Sequence, residues 1–236
     1  LSILDGECEE DRQALWAGFL WAGKAQGYEF FTRLKPHLLR MASSQSLEKR
    51  GQTAAMSGLI LSAWALTDGG GNRWVTDDEL RTLLIASNDD IRTQVLWQAE
   101  RWASDNNAKW ASLLIDLLRN VWPRHLAAKS GPVSARLCDI AFSNEQNFAE
   151  ISAVILPLLT KVDSGHLSLP ELRRSGESIA DKHPRETLSL LHAVLPDRVS
   201  DWTYGIGDTL ARLAVADASL VHNERLIDLQ RRWDAR

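Results

Sequence analysis

One spacing of apolar residues recurs along the chain and limits what it can fold into. Apolar residues stand at positions i, i+3, i+4, i+7 and i+8 in three separate segments, residues 56–64, 110–118 and 151–159. This spacing gives a helix one wide apolar stripe, which it buries against its neighbours. Hardly any stretch alternates apolar and polar residues as a half-buried strand does. The pattern therefore predicts an all-α fold, and it gives almost no information about chemistry.

Turn and capping signals divide the chain into ten to twelve predicted helices. Thr76 and Glu79 have capping-box spacing, and Pro36 should kink or divide the second helix because it cannot donate a backbone hydrogen bond. Residues 68–72 are predicted to form a flexible turn. The predicted helices cover residues 7–24, 28–41, 47–66, a short segment after Thr76, a segment after Ser87 that contains residues 91–102, 108–122, 133–142, 144–162, segments that begin at Pro170 and Pro184, 208–216 and 218–233.

A weak internal period accompanies the helical pattern. Two tryptophan pairs, Trp16/Trp21 and Trp97/Trp102, lie 81 residues apart, which is about two periods of a HEAT-like repeat. The stripes that begin at residues 110 and 151 are 41 residues apart, whereas those at 56 and 110 are 54 apart. We predict stacked helical hairpins in a HEAT-like α-solenoid, one domain over residues 1–236 with a weak subdivision near 124–132. We also expect this domain to be a piece of a longer polypeptide.

Composition weighs against a general nucleic-acid surface. The 236 residues carry a net charge of -4, and the sequence pI is about 5.9, whereas non-specific nucleic-acid binding requires clustered Lys and Arg. The nucleic-acid alternative would need five basic residues to converge on one groove. These are Arg33, Lys35, Arg40, Lys49 and Arg50. Mixed charge on that face would argue against this alternative.

Cysteine usage and hydropathy indicate the compartment. The chain has two cysteines, Cys8 and Cys138, far apart in sequence and without a second pair. This usage is typical of a reducing, intracellular setting. No apolar run approaches the roughly 18 to 20 residues that a membrane-spanning helix needs. We expect a cytoplasmic protein.

No catalytic or metal-binding motif is complete. Residues 163–171 resemble the second half of an EF-hand loop, but its first and third positions would be Thr160 and Val162, and valine offers no side-chain oxygen. The three glycines at 69–71 lack the Gly-Lys-Ser/Thr of a phosphate-binding loop. The six histidines show no zinc-site spacing, and Cys138 stands among apolar neighbours. We therefore predict no catalysis, no metal and no cofactor; a small helical enzyme would need paired titratable groups in a pocket.

Three residues are the predicted partner contacts: Arg73, Trp74 and Trp202. Both tryptophans stand in polar or glycine-containing segments, where an exposed ring would serve as an anchor. Aromatic and arginine side chains carry most of the binding energy at protein interfaces. The expected partner is another protein or another domain of the same polypeptide, with nucleic acid unlikely and no membrane.

Segments of the C-terminal third resemble a known class of proteins. The run at residues 183–191, the segment Asp201-Trp202-Thr203-Tyr204 and the closing residues 226–229 are similar to the helical C-terminal regions of large bacterial anti-phage defence proteins, and residues 31–39 are similar in character. In some of those proteins an N-terminal sirtuin-like domain consumes NAD. The resemblance implies a sensing or scaffold region, with any catalytic domain elsewhere in the polypeptide.

Overall fold

The computed structural model describes residues 28–43, 50–104, 108–163, 167, 178–203 and 205–236. In these residues the chain is all-α, as predicted, with eleven α-helices. The helices are α1 Tyr28–Ser43, α2 Arg50–Ala65, α3 Asp77–Ala86, α4 Asp89–Ser104, α5 Ala108–Asp116, α6 Gly131–Ser143, α7 Phe148–Ile155, α8 Ile179–Lys182, α9 Pro184–Val194, α10 Ile206–Ala216 and α11 Glu224–Asp234. None of the helices in this part of the chain is long and apolar enough to cross a membrane. The predicted helices at 7–24 and from Pro170 lie outside the described residues.

The chain divides into two compact units, Leu1–Pro123 and Arg124–Arg236. In the first unit, α2 packs mainly against α4, α4 also packs against α5, and α1 packs against α2 and α3. The predicted stripe of α2 is buried, with Trp64 wholly inaccessible to solvent. The finer predictions of a single domain over residues 1–236 and of a HEAT-like solenoid stay predictions.

The second unit is built around α9. This helix contacts α6, α7, α8, α10 and α11, so apolar side chains are needed on more than one of its faces. Leu188, Leu190, Leu191 and Val194 are accordingly buried. α10 also packs against α8 and α11. The predicted helix that begins at Pro184 is thereby confirmed.

Local capping explains where several helices begin. The predicted capping box is confirmed: the backbone N–H of Glu79 donates to Thr76 Oγ1 at 3.2 Å, and the backbone N–H of Thr76 donates to Glu79 Oε2 at 2.8 Å. Asn88 Oδ1 accepts from Ile91 N at 3.0 Å at the start of α4. These side chains satisfy backbone donors that a first helical turn leaves unpaired.

Pro36 does not divide α1, which runs unbroken from Tyr28 to Ser43, and the predicted alternative, a kink at Pro36, stays a prediction. Two other boundary predictions are wrong, and each has a local cause. The segment predicted as one helix over 144–162 contains a 3₁₀ turn, the short α7 and a second 3₁₀ turn around Pro157. The helix predicted for 218–233 is interrupted because Asn223 caps α11 with its own side chain, at 3.0 Å from Arg225 N.

Hydrogen bonds connect the residues of the predicted glycine-rich turn at 68–72. Asp68 Oδ1 accepts from the backbone N–H groups of Gly70 and Asn72, both at 2.9 Å. The bonds from Asn72 are the leading cause that keeps the pKa of Asp68 below its ordinary value. Gly71 takes a φ of +83°, which glycine adopts without strain. The turn thus fixes the approach to α3.

Candidate interaction groove

An open groove of about 770 Å³ lies in the second unit, between the segment before α10 and the C-terminal end of α11. Two tryptophans and two arginines supply its large side chains, and small or polar residues form the rest of its lining. The lining residues are Val199, Ser200, Trp202, Thr203, Gly205, Gly207, Asp208, Arg232, Trp233, Ala235 and Arg236. The groove therefore combines an aromatic surface with charged groups at its edges.

The tryptophans and arginines of the groove form one continuous stack. The rings of Trp202 and Trp233 lie nearly parallel, with centroids 6.0 Å apart and an interplanar angle of 18°. The Arg232 guanidinium lies 5.2 Å from the centroid of Trp202, and that of Arg236 lies 3.6 Å from the centroid of Trp233. Cations above aromatic rings are attracted to their negative faces. The four side chains thus hold one another in place.

Backbone carbonyls of the preceding loop fix two members of this stack. Trp202 Nε1 donates to Pro196 O at 2.8 Å, and Arg232 Nη2 donates to the same oxygen at 2.6 Å and to Asp197 O at 2.9 Å. Arg232 also lies within 4 Å of the carboxylates of Asp197 and Asp228. These bonds fix Trp202 and Arg232 to the surrounding backbone. Of the other two members of the stack, Trp233 is half-buried and Arg236 is exposed.

Two glycines let α10 approach α11 closely enough to form the groove. Gly205 precedes α10 with a φ of +92°, a conformation that strongly favours glycine. A Cβ atom added to Gly207 would lie only 2.4 to 2.6 Å from three atoms of the Trp233 indole. The ring therefore rests directly on the backbone of α10. No other residue type fits at Gly207 without moving Trp233.

We predict that Gly207→Ala displaces the Trp233 ring and destabilises the second unit. Overpacking of this kind costs about 1–3 kcal/mol, and it should lower the urea midpoint of unfolding followed by tryptophan fluorescence. Gly69→Ala is the control, because a Cβ there meets no atom within 4 Å and its φ is not positive. Equal stability of the two variants would contradict the close contact between Gly207 and Trp233.

We predicted that the three partner-contact residues are exposed. This is wrong for Trp202, which is buried, whereas Arg73 and Trp74 are half-buried. Trp202 is only 8% exposed, because its ring packs on Trp233. Trp74 is half-buried between the rings of Tyr28 and Phe31, with centroids at 5.6 and 5.5 Å. Trp202 does line the groove, whereas Arg73 and Trp74 lie in the first unit. Their role as partner contacts stays a prediction.

Arg73 holds the first unit together. Its guanidinium lies 4.1 Å from the Trp64 ring centroid, and its Nη2 donates to Asp116 Oδ2 at 2.6 Å. Its Nε lies 3.5 Å from Asp77, whose Oδ1 also accepts from Trp64 Nε1 at 2.8 Å. Arg73 therefore joins α2, α3 and α5 through one side chain. The guanidinium that we predicted to face a partner thus makes several contacts within the first unit.

A double-mutant cycle of Arg73→Ala and Asp116→Ala should show a coupling energy of about 1 kcal/mol, within the range measured for contacting residues. The reason is that both side chains are largely buried, with exposures of 26% and 29%, so water screens their attraction only in part. Free energies of unfolding in urea give the coupling. A cycle on the more exposed pair Arg81 and Asp78 should give a smaller value. No coupling for Arg73 and Asp116 would show that this contact does not stabilise the unit.

Other sequence candidates for chemistry do not come together in the described part of the chain. No group of three or more His, Cys, Asp or Glu there could hold a metal ion. Cys138 is fully buried and unpaired, and burial raises the pKa of its thiol well above the ordinary value, so it is not a reactive nucleophile. Most of the partial EF-hand segment lies outside the described residues. Val162 is buried, and its N–H donates to Val194 O at 2.9 Å.

Sequence reasoning missed Trp233, Arg232, Arg236 and Gly207 as groove residues. Trp233 and Arg236 stand three positions apart along the chain and are therefore close neighbours, although Arg236 lies beyond the end of α11 at Asp234. Their proximity was visible in the sequence. The contact of Trp233 with Gly207 was not visible, because it joins positions in different helices without any local pattern.

Comparison with known proteins gives one distant relative. Over 163 residues the chain is 24% identical to the uncharacterized protein y4cA of Sinorhizobium fredii, an alignment that covers 67% of this chain and 14% of y4cA. The chain thus matches a small part of a much larger protein. No protein-family model matches the chain, and no solved structure matches it.

Proposed function

We propose that this chain is a non-catalytic scaffold that binds another protein, or another domain of the same polypeptide, through the groove of the second unit. The observation that carries the proposal is the stack of Trp202, Trp233, Arg232 and Arg236 along an open groove. Tryptophan and arginine are the residue types most enriched where interfaces gain their binding energy. The stack is also ordered in advance, which lowers the entropic cost of binding.

The groove suits a protein segment that presents an apolar side chain. Trp233 contributes a half-buried aromatic side chain to the lining, and Gly205 leaves backbone accessible beside it. Arg236 and Asp208, both exposed, place opposite charges at the edges. Charges at a rim select partners and orient them more than they add affinity. An apolar centre with a polar rim is the common arrangement of protein interfaces.

The proposed biological setting is a sensing or scaffold region of a larger protein, in the class of the helical, HEAT-like C-terminal regions of bacterial anti-phage proteins. The all-α architecture is consistent with that class. The alignment with 14% of y4cA also supports a region of a larger protein. On this proposal any catalytic domain lies elsewhere in the polypeptide.

The nucleic-acid alternative is weakened by the pairing of one of its basic residues, Lys35. Lys35 forms an ion pair with Glu79, with Nζ to Oε1 at 2.8 Å, so its charge is neutralised within the first unit. Arg33 is exposed, and Lys49 lies outside the described residues. The Glu79 carboxylate beside Lys35 adds a negative charge to this face, which favours the protein-binding proposal over the nucleic-acid alternative.

The test is to block the groove without disturbing the stack. Ser200→Arg places a long side chain at an exposed lining position, and we expect it to abolish partner capture from the native cells when the full-length protein is the bait. Ala153→Arg is the matched control, because Ala153 is an exposed small residue on α7 and does not line the groove. Mass spectrometry identifies the captured proteins.

Loss of the same partners in both arginine variants, or in neither, would contradict the assignment of the groove. Capture of nuclease-sensitive material that Ser200→Arg leaves unchanged would favour the nucleic-acid alternative instead. Circular dichroism of both variants checks that each retains its helical content.

A further inference from the structure

A second cavity of the second unit, of about 290 Å³, is lined by basic and hydroxyl side chains. It lies between α9 and the segment that leads into α11. Leu188 and Leu220, both buried, contribute its apolar lining. The polar lining residues are Arg185, Ser189, Ser219, His222, Asn223 and Arg225. We call this cavity the anion pocket.

Hydrogen bonds to two serines orient the two arginines from opposite walls. Arg185 Nη2 donates to Ser219 Oγ at 3.0 Å, and Arg225 Nη1 donates to Ser189 Oγ at 3.0 Å. Each serine hydroxyl donates in turn to another acceptor: Ser219 to Asp217 Oδ1 at 2.6 Å and Ser189 to Arg185 O at 2.9 Å. Both hydroxyl protons are thereby used, so the serines act as fixed acceptors for the guanidinium groups.

Of the two arginines that line the anion pocket, Arg185 is paired with a carboxylate and Arg225 is not. Asp217 pairs with Arg185, Nε to Oδ2 at 2.7 Å, and the bonds from Ser219 and Arg185 lower the pKa of Asp217 to about 2. Glu186 adds a more distant negative charge that acts on Arg185. Arg225 has no ion-pair partner among the described residues. Its guanidinium therefore retains donors and charge for a ligand.

Asn223 and His222 complete the pocket. Asn223 Oδ1 accepts the hydrogen bond that caps α11. The side-chain NH₂ group of Asn223 is therefore the part that can donate to a ligand. The imidazole of His222 lines the same cavity and is exposed. Guanidinium, amide and imidazole N–H groups around a small cavity match the oxygens of a tetrahedral oxyanion.

We propose that the anion pocket binds the phosphate group of a small phosphate monoester. The two arginines approach from different elements, α9 and α11, so both can contact one oxyanion. The volume of about 290 Å³ lies at the lower end of ligand-binding pockets, which suits a phosphate with a short organic group. This site is separate from the groove, and it depends on a different set of residues.

The experiment is a calorimetric titration of the whole chain with inorganic phosphate and, separately, with glycerol 3-phosphate at constant ionic strength. We expect saturable binding of both, with a Kd of about 1 mM or below. Arg225→Ala should weaken it at least tenfold, because a charge-assisted hydrogen bond is lost. Arg231→Ala is the matched control: the residue is exposed on the same helix and does not line the pocket. It should bind as the unaltered chain does.

Arg185→Ala, which removes a side chain that is 68% exposed, provides a second variant from the opposite wall and should also weaken binding. No saturable binding of either probe would overturn the proposal. Equal weakening by Arg231→Ala would also overturn it, since it would indicate diffuse attraction to the basic side chains of α11. Binding of inorganic phosphate without glycerol 3-phosphate would refute the monoester class.

Discussion

The burial of apolar stripes is the constraint on which the rest of this structure depends. A helix with one wide apolar face is unstable alone in water and must cover that face with other helices. In the first unit α2 and α4 pack against each other, and in the second unit α9 contacts five other helices. This packing leaves the turns and helix ends at the periphery. Most of the residues that line the groove and the anion pocket belong to these turns and helix ends.

Arginine side chains perform two different tasks in this framework. Arg73 and Arg232 each place a guanidinium over a tryptophan and donate to oxygens of neighbouring elements, so they hold the fold. Arg225 and Arg236 stand at cavities without an ion-pair partner in the described residues, so their charge remains directed to solvent or a ligand. The distinction lies in the partners of each guanidinium and not in its exposure alone.

The sequence predicted the helical class and many local boundaries, because stripes, caps and glycine turns act over a few residues. Thr76 and Glu79 behave as their spacing indicates. Prediction failed where distant residues meet: the burial of Trp202 depends on Trp233, and the internal contacts of Arg73 depend on Asp116. Polar surroundings in the sequence indicated exposure for these side chains. Contacts between elements, which no local pattern encodes, determined their burial.

Direct contact at the groove is the most immediate test of the interaction proposal. A photoreactive amino acid placed at Ser200 in the full-length protein should, on irradiation in the native cells, crosslink to a defined partner or to a distant segment of the same polypeptide. The same group at Ala153 should give no such product. Crosslinking that is equal at both positions, or absent at Ser200 while the protein is folded, would contradict the assignment of the groove as the binding surface.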